Sequence, residues 1–339
     1  MRGRHRPSAE GPPENGVIIM EKKNKILAAI ALLITAIVII AGATAVLAPK
    51  DDEGTTLRIG VLPVIDTLPL YVGVEQGIFS DKGVNVELVE FSSARERDAA
   101  FTTGAIDGYF GDLVNTLVIA KSTGVKVITV DYHTLEDHRM FAILASPNSG
   151  ITDLSELNGS RIASSTASIS EYFLGEMLRV NNVTDKVQIN DVPPIPVRYT
   201  SLLADKIPVA VLPEPFATRA IEDGAVLLAD DRRIDTAATV LALRDSFIST
   251  NEAAARSFLD GYNESVSLVN ADPMKFSKTL EEKIHFPAEL EDIFEFPPMS
   301  SSTLPTESDL GRVQEWMLEK GMLNTGFEYD EVMATTLYE

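Results

Sequence analysis

From Leu57 onward, short β-branched runs alternate with helical stretches, a pattern that restricts the chain to an α/β architecture with helices covering a mostly parallel sheet. The first series has strands at Leu57 to Leu62, Val84 to Phe91, Gly108 to Phe110 and Val125 to Asp131. Helices near Pro69 to Gln76, Arg95 to Thr102 and Leu113 to Ser122 lie between them. After Met140 to Ala145 a second series begins. Its strands are Arg161 to Ala163, Val187 to Asn190, Pro208 to Leu212 and Ala225 to Ala229, and its helices are Ile169 to Val180, Val197 to Lys206 and Glu214 to Glu222. Each helix follows a strand at short spacing, so parallel pairing with right-handed crossovers is expected. Thr239 to Leu243 reads as one more strand. The remainder is helical, with Asn251 expected to cap a run to Val269 and Thr306-Glu307-Ser308-Asp309 opening another that carries Trp316.

Ahead of this body, Ile26 to Ala48 is an uncharged apolar stretch of 23 residues. As a helix it would reach about 34 Å, enough to cross a bilayer. Lys22, Lys23 and Lys25 precede it and Asp51, Asp52 and Glu53 follow. The positive-inside rule therefore places residues 1–25, which are expected to be disordered, in the cytoplasm and the body outside. Residues 26–48 then serve as a transmembrane anchor or signal segment, and their length favours an uncleaved anchor. The chain has no cysteine, so a lipid-bearing cysteine, disulfides and thiolate chemistry are all excluded. Of the net charge of −21, residues 1–25 contribute six basic against three acidic residues, leaving −24 on everything beyond. Such a body repels nucleic acid and anionic lipid.

The run from Leu57 through Gly60-Val-Leu-Pro-Val-Ile-Asp66-Thr-Leu-Pro69 to Glu75-Gln-Gly-Ile-Phe79 resembles the opening of the nitrate/sulfonate/taurine and thiamine-pyrimidine solute-binding proteins. Further matches follow in register at Lys82 to Leu88, Gly104 to Gly108, Asp153 to Gly159, Leu212 to Phe216, and Pro305 through Trp316 to Gly321. The resemblance covers residues 57 to 325. It implies a two-lobed type II periplasmic-binding-protein fold with a hinge of crossover strands, here preceded by one transmembrane helix. Lobe 1 would comprise residues 57–143 and, after lobe 2 at residues 144–235, a return with C-terminal helices at residues 236–339. The hinges would fall near Ala142 to Ser146 and Thr236 to Ala242. The implied function is capture of a small solute for an ABC permease and its ATPase, by a monomer without cofactor or catalysis. A membrane-tethered sensor or scavenger working with another membrane protein is the alternative.

In open α/β sheets, ligands sit beyond the carboxyl ends of strands, where helix N-termini point at the cleft. Four loops qualify. Asp66, Thr67, Leu68 and Pro69 form the first, with Asp66 either a ligand contact or a helix cap; Gly111 and Asp112 form the second, with the same two roles open to Asp112. Ser164, Ser165 and Thr166 belong to a hydroxyl-rich third loop holding more hydroxyls than one cap needs. Glu214 and Pro215 form the fourth, where the carboxylate meets either a ligand or the helix dipole. Tyr132 and His133 are lesser candidates. With Asp66, Asp112 and Glu214 at the cleft and no arginine evident there, a neutral or amino-bearing ligand is expected over an anion. No GxSxG, P-loop or HExxH pattern occurs, and His5, His133, His138 and His285 are scattered, so neither catalysis nor a metal site is expected. The cysteine-rich motif of relatives that make a thiamine pyrimidine is absent.

Overall fold

The computed structural model describes residues 55–157, 159–183 and 187–339. The segment expected to cross the membrane, residues 26–48, lies outside the described residues, and no described helix is long and apolar enough to do so.

Among the described residues, ten strands form two five-stranded sheets. The first contains β1 (Thr55–Val61), β2 (Val84–Glu90), β3 (Gly108–Gly111) and β4 (Val125–His133), and the second contains β5 (Phe141–Ala145), β6 (Arg161–Ser164), β7 (Gln188–Asp191), β8 (Val209–Pro213) and β9 (Val226–Asp230). The last strand, β10 (Ala237–Arg244), returns to the first sheet, giving the orders β2-β1-β3-β10-β4 and β7-β6-β8-β5-β9. β1 pairs in parallel with β2 and β3, and β6 in parallel with β7 and β8, as expected from intervening helices. Two strands that no covering helix precedes pair the other way. β10 is antiparallel to both β3 and β4, and β5 is antiparallel to both β8 and β9. Each of these strands arrives from the other sheet rather than over a covering helix, so nothing imposes the parallel direction.

Central strands β5 (FAILA) and β8 (VAVLP) are buried throughout, because helices cover both faces and leave no position for a polar residue. The edge strand β7 is short and polar (QIND), which blunts an edge that would otherwise recruit another chain. Helix Glu252–Ala271 packs on helix Leu68–Glu75 through Phe79. A Cβ at Gly73 or Gly261 would stand 2.3 or 2.6 Å from the Phe79 ring, so two glycines make the slot in which Phe79 stacks on Phe258 at 5.1 Å. The C-terminal helices thus dock on the first sheet.

Asn251 does not cap in the expected way. Its side chain makes no cap hydrogen bond and instead donates to Phe247 O at 3.4 Å, at the junction where helix Asp245–Thr250 runs directly into helix Glu252–Ala271. Thr306 does cap: it and Asp309 form a reciprocal capping box on helix Glu307–Glu319.

The chain crosses between the sheets at residues 134–140 and 231–236. The first crossing lies upstream of Ala142 to Ser146, where a hinge was expected, because Phe141–Ala145 is already paired with β8 and β9. The two crossings are tied together. Thr134 and Thr236 exchange backbone and side-chain hydrogen bonds of 2.8–3.1 Å, and the Asp231 carboxylate accepts the Met140 and Phe141 N–H groups at 2.9 and 3.1 Å.

Candidate ligand-binding site

The carboxyl ends of β1, β3, β6, β7 and β8 converge on one cavity between the two sheets, with about 50 Å³ open to the centres of water molecules. The first lobe contributes Asp66, Arg97, Phe110, Gly111, Asp112 and Thr239. The second contributes Ser165, Ser168, Ser170, Ile195, Arg198 and Pro213, with Phe141 at the end of the first crossing.

The lobes are closed over it. Asn115 Nδ2 donates to Ala167 O at 3.1 Å, Ile195 N to Ser92 O at 3.2 Å, and Ile65 N to Glu214 O at 3.3 Å. Farther out, Arg95 pairs with Asp191 at 2.7 Å, Lys320 with Glu171 at 3.4 Å, and Trp316 meets Tyr172 edge-on at 5.3 Å.

Of the residues singled out from sequence, Asp66, Gly111, Asp112 and Ser165 stand in the cavity wall. Asp112 is also a cap, accepting Asn115 N–H at 2.8 Å, whereas Asp66 caps nothing and instead accepts the Thr239 hydroxyl at 2.7 Å. The other seven lie outside the wall. Thr67 is fully buried and donates to Val64 O at 2.7 Å, while Leu68 and Pro69 pack into the core. Ser164 is buried behind Ser165, and Thr166 faces outward onto Asp191. Glu214 is taken up by Arg139 at 2.7 Å and by both the N–H and hydroxyl of Thr218 at 2.9 Å, and Pro215 follows it at the start of helix Phe216–Glu222. Tyr132 belongs to the core, and His133 lies 3.7 Å from Asp309.

The expectation that no arginine borders the cleft is overturned. Arg97 and Arg198, each 1% exposed, stand in its wall, one from each lobe. Both are in the opening turns of helices that follow strands, Ala94–Thr102 after β2 and Ile195–Leu203 after β7. Each shares the apolar stripe of its helix: Phe101 lies four residues beyond Arg97, while Ile195 and Leu202 flank Arg198 at i−3 and i+4. An arginine on the inward stripe of a helix at a strand's carboxyl end was the available signal.

The two guanidiniums differ. Arg97 is neutralised: it donates to the Asp98 carboxylate at 2.6 and 3.0 Å and to Phe110 O at 2.7 Å. Burial works against its charge, but Asp98 and Asp112 hold its pKa above the ordinary value. Arg198 has no such partner. Its Nη1 donates to the carbonyls of Val192 and Pro193 at 3.1 and 3.3 Å, and its buried Nε has no hydrogen-bond partner. Burial therefore pulls its pKa from 12.5 down to about 10, with Asp191 opposing only in part. Burial also pushes the wall carboxyls up, Asp66 to about 6 and Asp112 to about 7 against the pull of Arg97. The wall thus combines carboxyls reluctant to ionise with a cation lacking a counter-charge.

Two α/β lobes joined by paired crossings and shut over a cavity at the strand carboxyl ends define the two-lobed periplasmic-binding-protein fold. The chain matches the NMT1-like family over residues 50–280 and belongs to it. The same fold is seen in the alkanesulfonate-binding protein SsuA from Xanthomonas axonopodis pv. citri bound to MOPS, with a TM-score of 0.71 at 16% identity, covering 84% of this chain and 98% of that one. The aliphatic sulphonate binding protein SsuA from Escherichia coli gives 0.69 at 17%, covering 84% and 99%. The nitrate-binding protein NrtA from Synechocystis PCC 6803 gives 0.67 at 14%, covering 84% and 88%. No curated protein sequence matches the chain.

Proposed function

We propose that this protein is the extracytoplasmic solute-binding subunit of an ABC importer, held at the cell membrane through residues 26–48. It captures a small anion between its lobes and delivers it to a permease driven by an ATPase. It works as a monomer and does no chemistry on the solute.

The observation that carries the anion is Arg198. A buried guanidinium without a counter-ion is expensive, and an incoming oxyanion supplies the missing charge and an acceptor for the unpartnered Nε. Ser165, Ser168 and Ser170, at the N-terminus of helix Ile169–Val180, add hydroxyls and the positive end of a helix dipole. The cavity suits a small solute, since its 50 Å³ is worth roughly three to five waters. The structural neighbours support the reading, being an alkanesulfonate-binding, a sulphonate-binding and a nitrate-binding protein. Closure over the solute by the crossings at residues 134–140 and 231–236 makes transport a matter of population shift between open and closed forms.

The test is a thermal-shift panel on the full-length protein with nitrate, alkanesulfonates, taurine, aminopyrimidines and simple amines. A ligand at a hundred times its Kd stabilises the native state by about 2.7 kcal/mol. Stabilisation by nitrate or a sulfonate is expected. A shift with amines or aminopyrimidines alone would overturn the anion assignment.

A further inference from the structure

Behind the cavity wall, Asp66 does not stand alone. Asp131 on β4 is fully buried at its back, and the Thr239 hydroxyl on β10 lies 2.7 Å from Asp66 Oδ2 and 3.4 Å from Asp131 Oδ2. Tyr262, on helix Glu252–Ala271, donates its hydroxyl to Asp131 Oδ1 at 2.7 Å. Asp66 and Thr239 face the cavity, and Asp131 is screened from it. Two carboxyls are therefore packed around one hydroxyl, and neither has an arginine, lysine or histidine among its hydrogen-bond or ion-pair partners. The ionisable groups facing the pair are Tyr262 on its helix, Tyr132 on β4, and Tyr338 behind Tyr262. In the cavity wall, Arg97, Asp112 and Arg198 complete the charged surroundings.

We propose that Asp66, backed by Asp131, is a specificity-determining residue that meets the solute in its protonated form, so that each anion captured brings one proton into the site. The inference rests on the anion reading above.

The physical reason is that two carboxylates buried together without a cation cannot both stay ionised. Burial first, and then the Asp66 charge, hold the Asp131 carboxyl well above the usual range, so that it gives up its proton far less readily than an exposed carboxyl. Burial pushes Asp66 up to about 6, so near neutrality its side chain is largely ionised while the cavity holds no anion. An anion in the same cavity adds a third negative charge at short range. The system relieves it by taking a proton from solvent onto Asp66, which turns a repelling carboxylate into an O–H donor for the solute. An amine would do the reverse and select the ionised form. The pair thus discriminates by charge sign, and the price is a pH dependence. Because the bound anion raises the Asp66 pKa, affinity is greatest below about pH 6 and falls as pH rises, by up to about tenfold per pH unit, until the pKa of the bound state is passed.

Isothermal titration of the full-length protein with sodium methanesulfonate, and separately with nitrate, reads the proton count directly. Neither anion titrates in the working range. Each titration is run near pH 7 in imidazole and in Tris, two cationic buffers of different ionisation enthalpy, at one matched chloride concentration so that any competition by chloride is the same in both. Proton uptake is expected in the wild type, with Asp112, pushed up to about 7 in the same wall, taking a share; the Asp66 share is the larger one, lost in Asp66→Asn and kept in Asp112→Asn, whatever the change in affinity of the latter. Binding without proton uptake would overturn the proposal and leave the anion reading standing. Uptake that is undiminished in Asp66→Asn would remove the assignment to Asp66. Failure of both anions to bind at any pH would overturn the anion reading and this inference with it. The wild-type proton count and its pH slope need no variant, so the proposal stays testable should Asp66→Asn fail to fold.

Discussion

Replacing Arg198 by methionine should weaken anion binding by orders of magnitude while leaving the unliganded protein as stable as before, or more so. The fall in the Arg198 pKa from 12.5 to about 10 on burial corresponds to roughly 3 kcal/mol of cost for keeping the guanidinium charged. Methionine removes that cost and fills much of the same space. Against this stand two lost hydrogen bonds, to the carbonyls of Val192 and Pro193, each worth about 1 kcal/mol. Both residues are only partly buried, so water can replace the donor. The net change falls between about zero and 2 kcal/mol of stabilisation, a rise in Tm of at most a few degrees for a body of this size. Binding should behave oppositely. Removing one partner of a buried, hydrogen-bonded charge pair costs roughly 2–5 kcal/mol, about 30-fold to several thousand-fold in Kd. Urea denaturation of the unliganded variant and calorimetry with nitrate and methanesulfonate measure the two halves. A variant several kcal/mol less stable that still binds at wild-type affinity would refute the reasoning, since Arg198 would then be a structural residue whose charge the fold itself satisfies.

Burial pushes the Asp231 carboxyl, between the two crossings, up to about 7. A folded-state pKa above the ordinary 3.8 contributes stability that is fully present below about pH 4 and is lost as pH rises to about 7, so Tm should fall between about pH 4 and 7, and less steeply in Asp231→Asn. Trp316→Ala should cost about 3–5 kcal/mol in denaturation and expand the molecule in small-angle scattering, because the indole's edge-on contact with Tyr172 spans the two lobes. Thr306→Ala, which removes the capping box of helix Glu307–Glu319, should cost about 1 kcal/mol in the denaturation midpoint without altering affinity for either anion.

Local pattern carried much of the architecture. Nine of the ten described strands lie within two residues of where their β-branched runs place them, the exception being Phe141–Ala145, and helix Ile169–Val180 coincides with its expected bounds. The Thr306 cap and the position of the cleft at the strand carboxyl ends were equally legible, because caps and crossovers are decided by neighbours in the chain. Strand direction at β5 and β10 was not legible. It depends on which sheet the chain has just left, information that no window of sequence contains.

The site divides along the same line. Sequence by itself named three loops that line the cavity and supplied Asp66, Gly111, Asp112 and Ser165, since a loop after a strand must end at a helix N-terminus, but it missed the helices that bring Arg97 and Arg198. Only tertiary structure decided what each charge does. Glu214 is neutralised by Arg139, 75 residues away, and Arg97 by its neighbour Asp98, while Arg198 is left without a counter-ion. Asp66 is set against Asp131 by a hydroxyl from a strand that has returned from the other lobe. Ionisation and ligand preference follow from desolvation and from charges a few ångströms away, and those distances exist only once the two lobes have closed on each other.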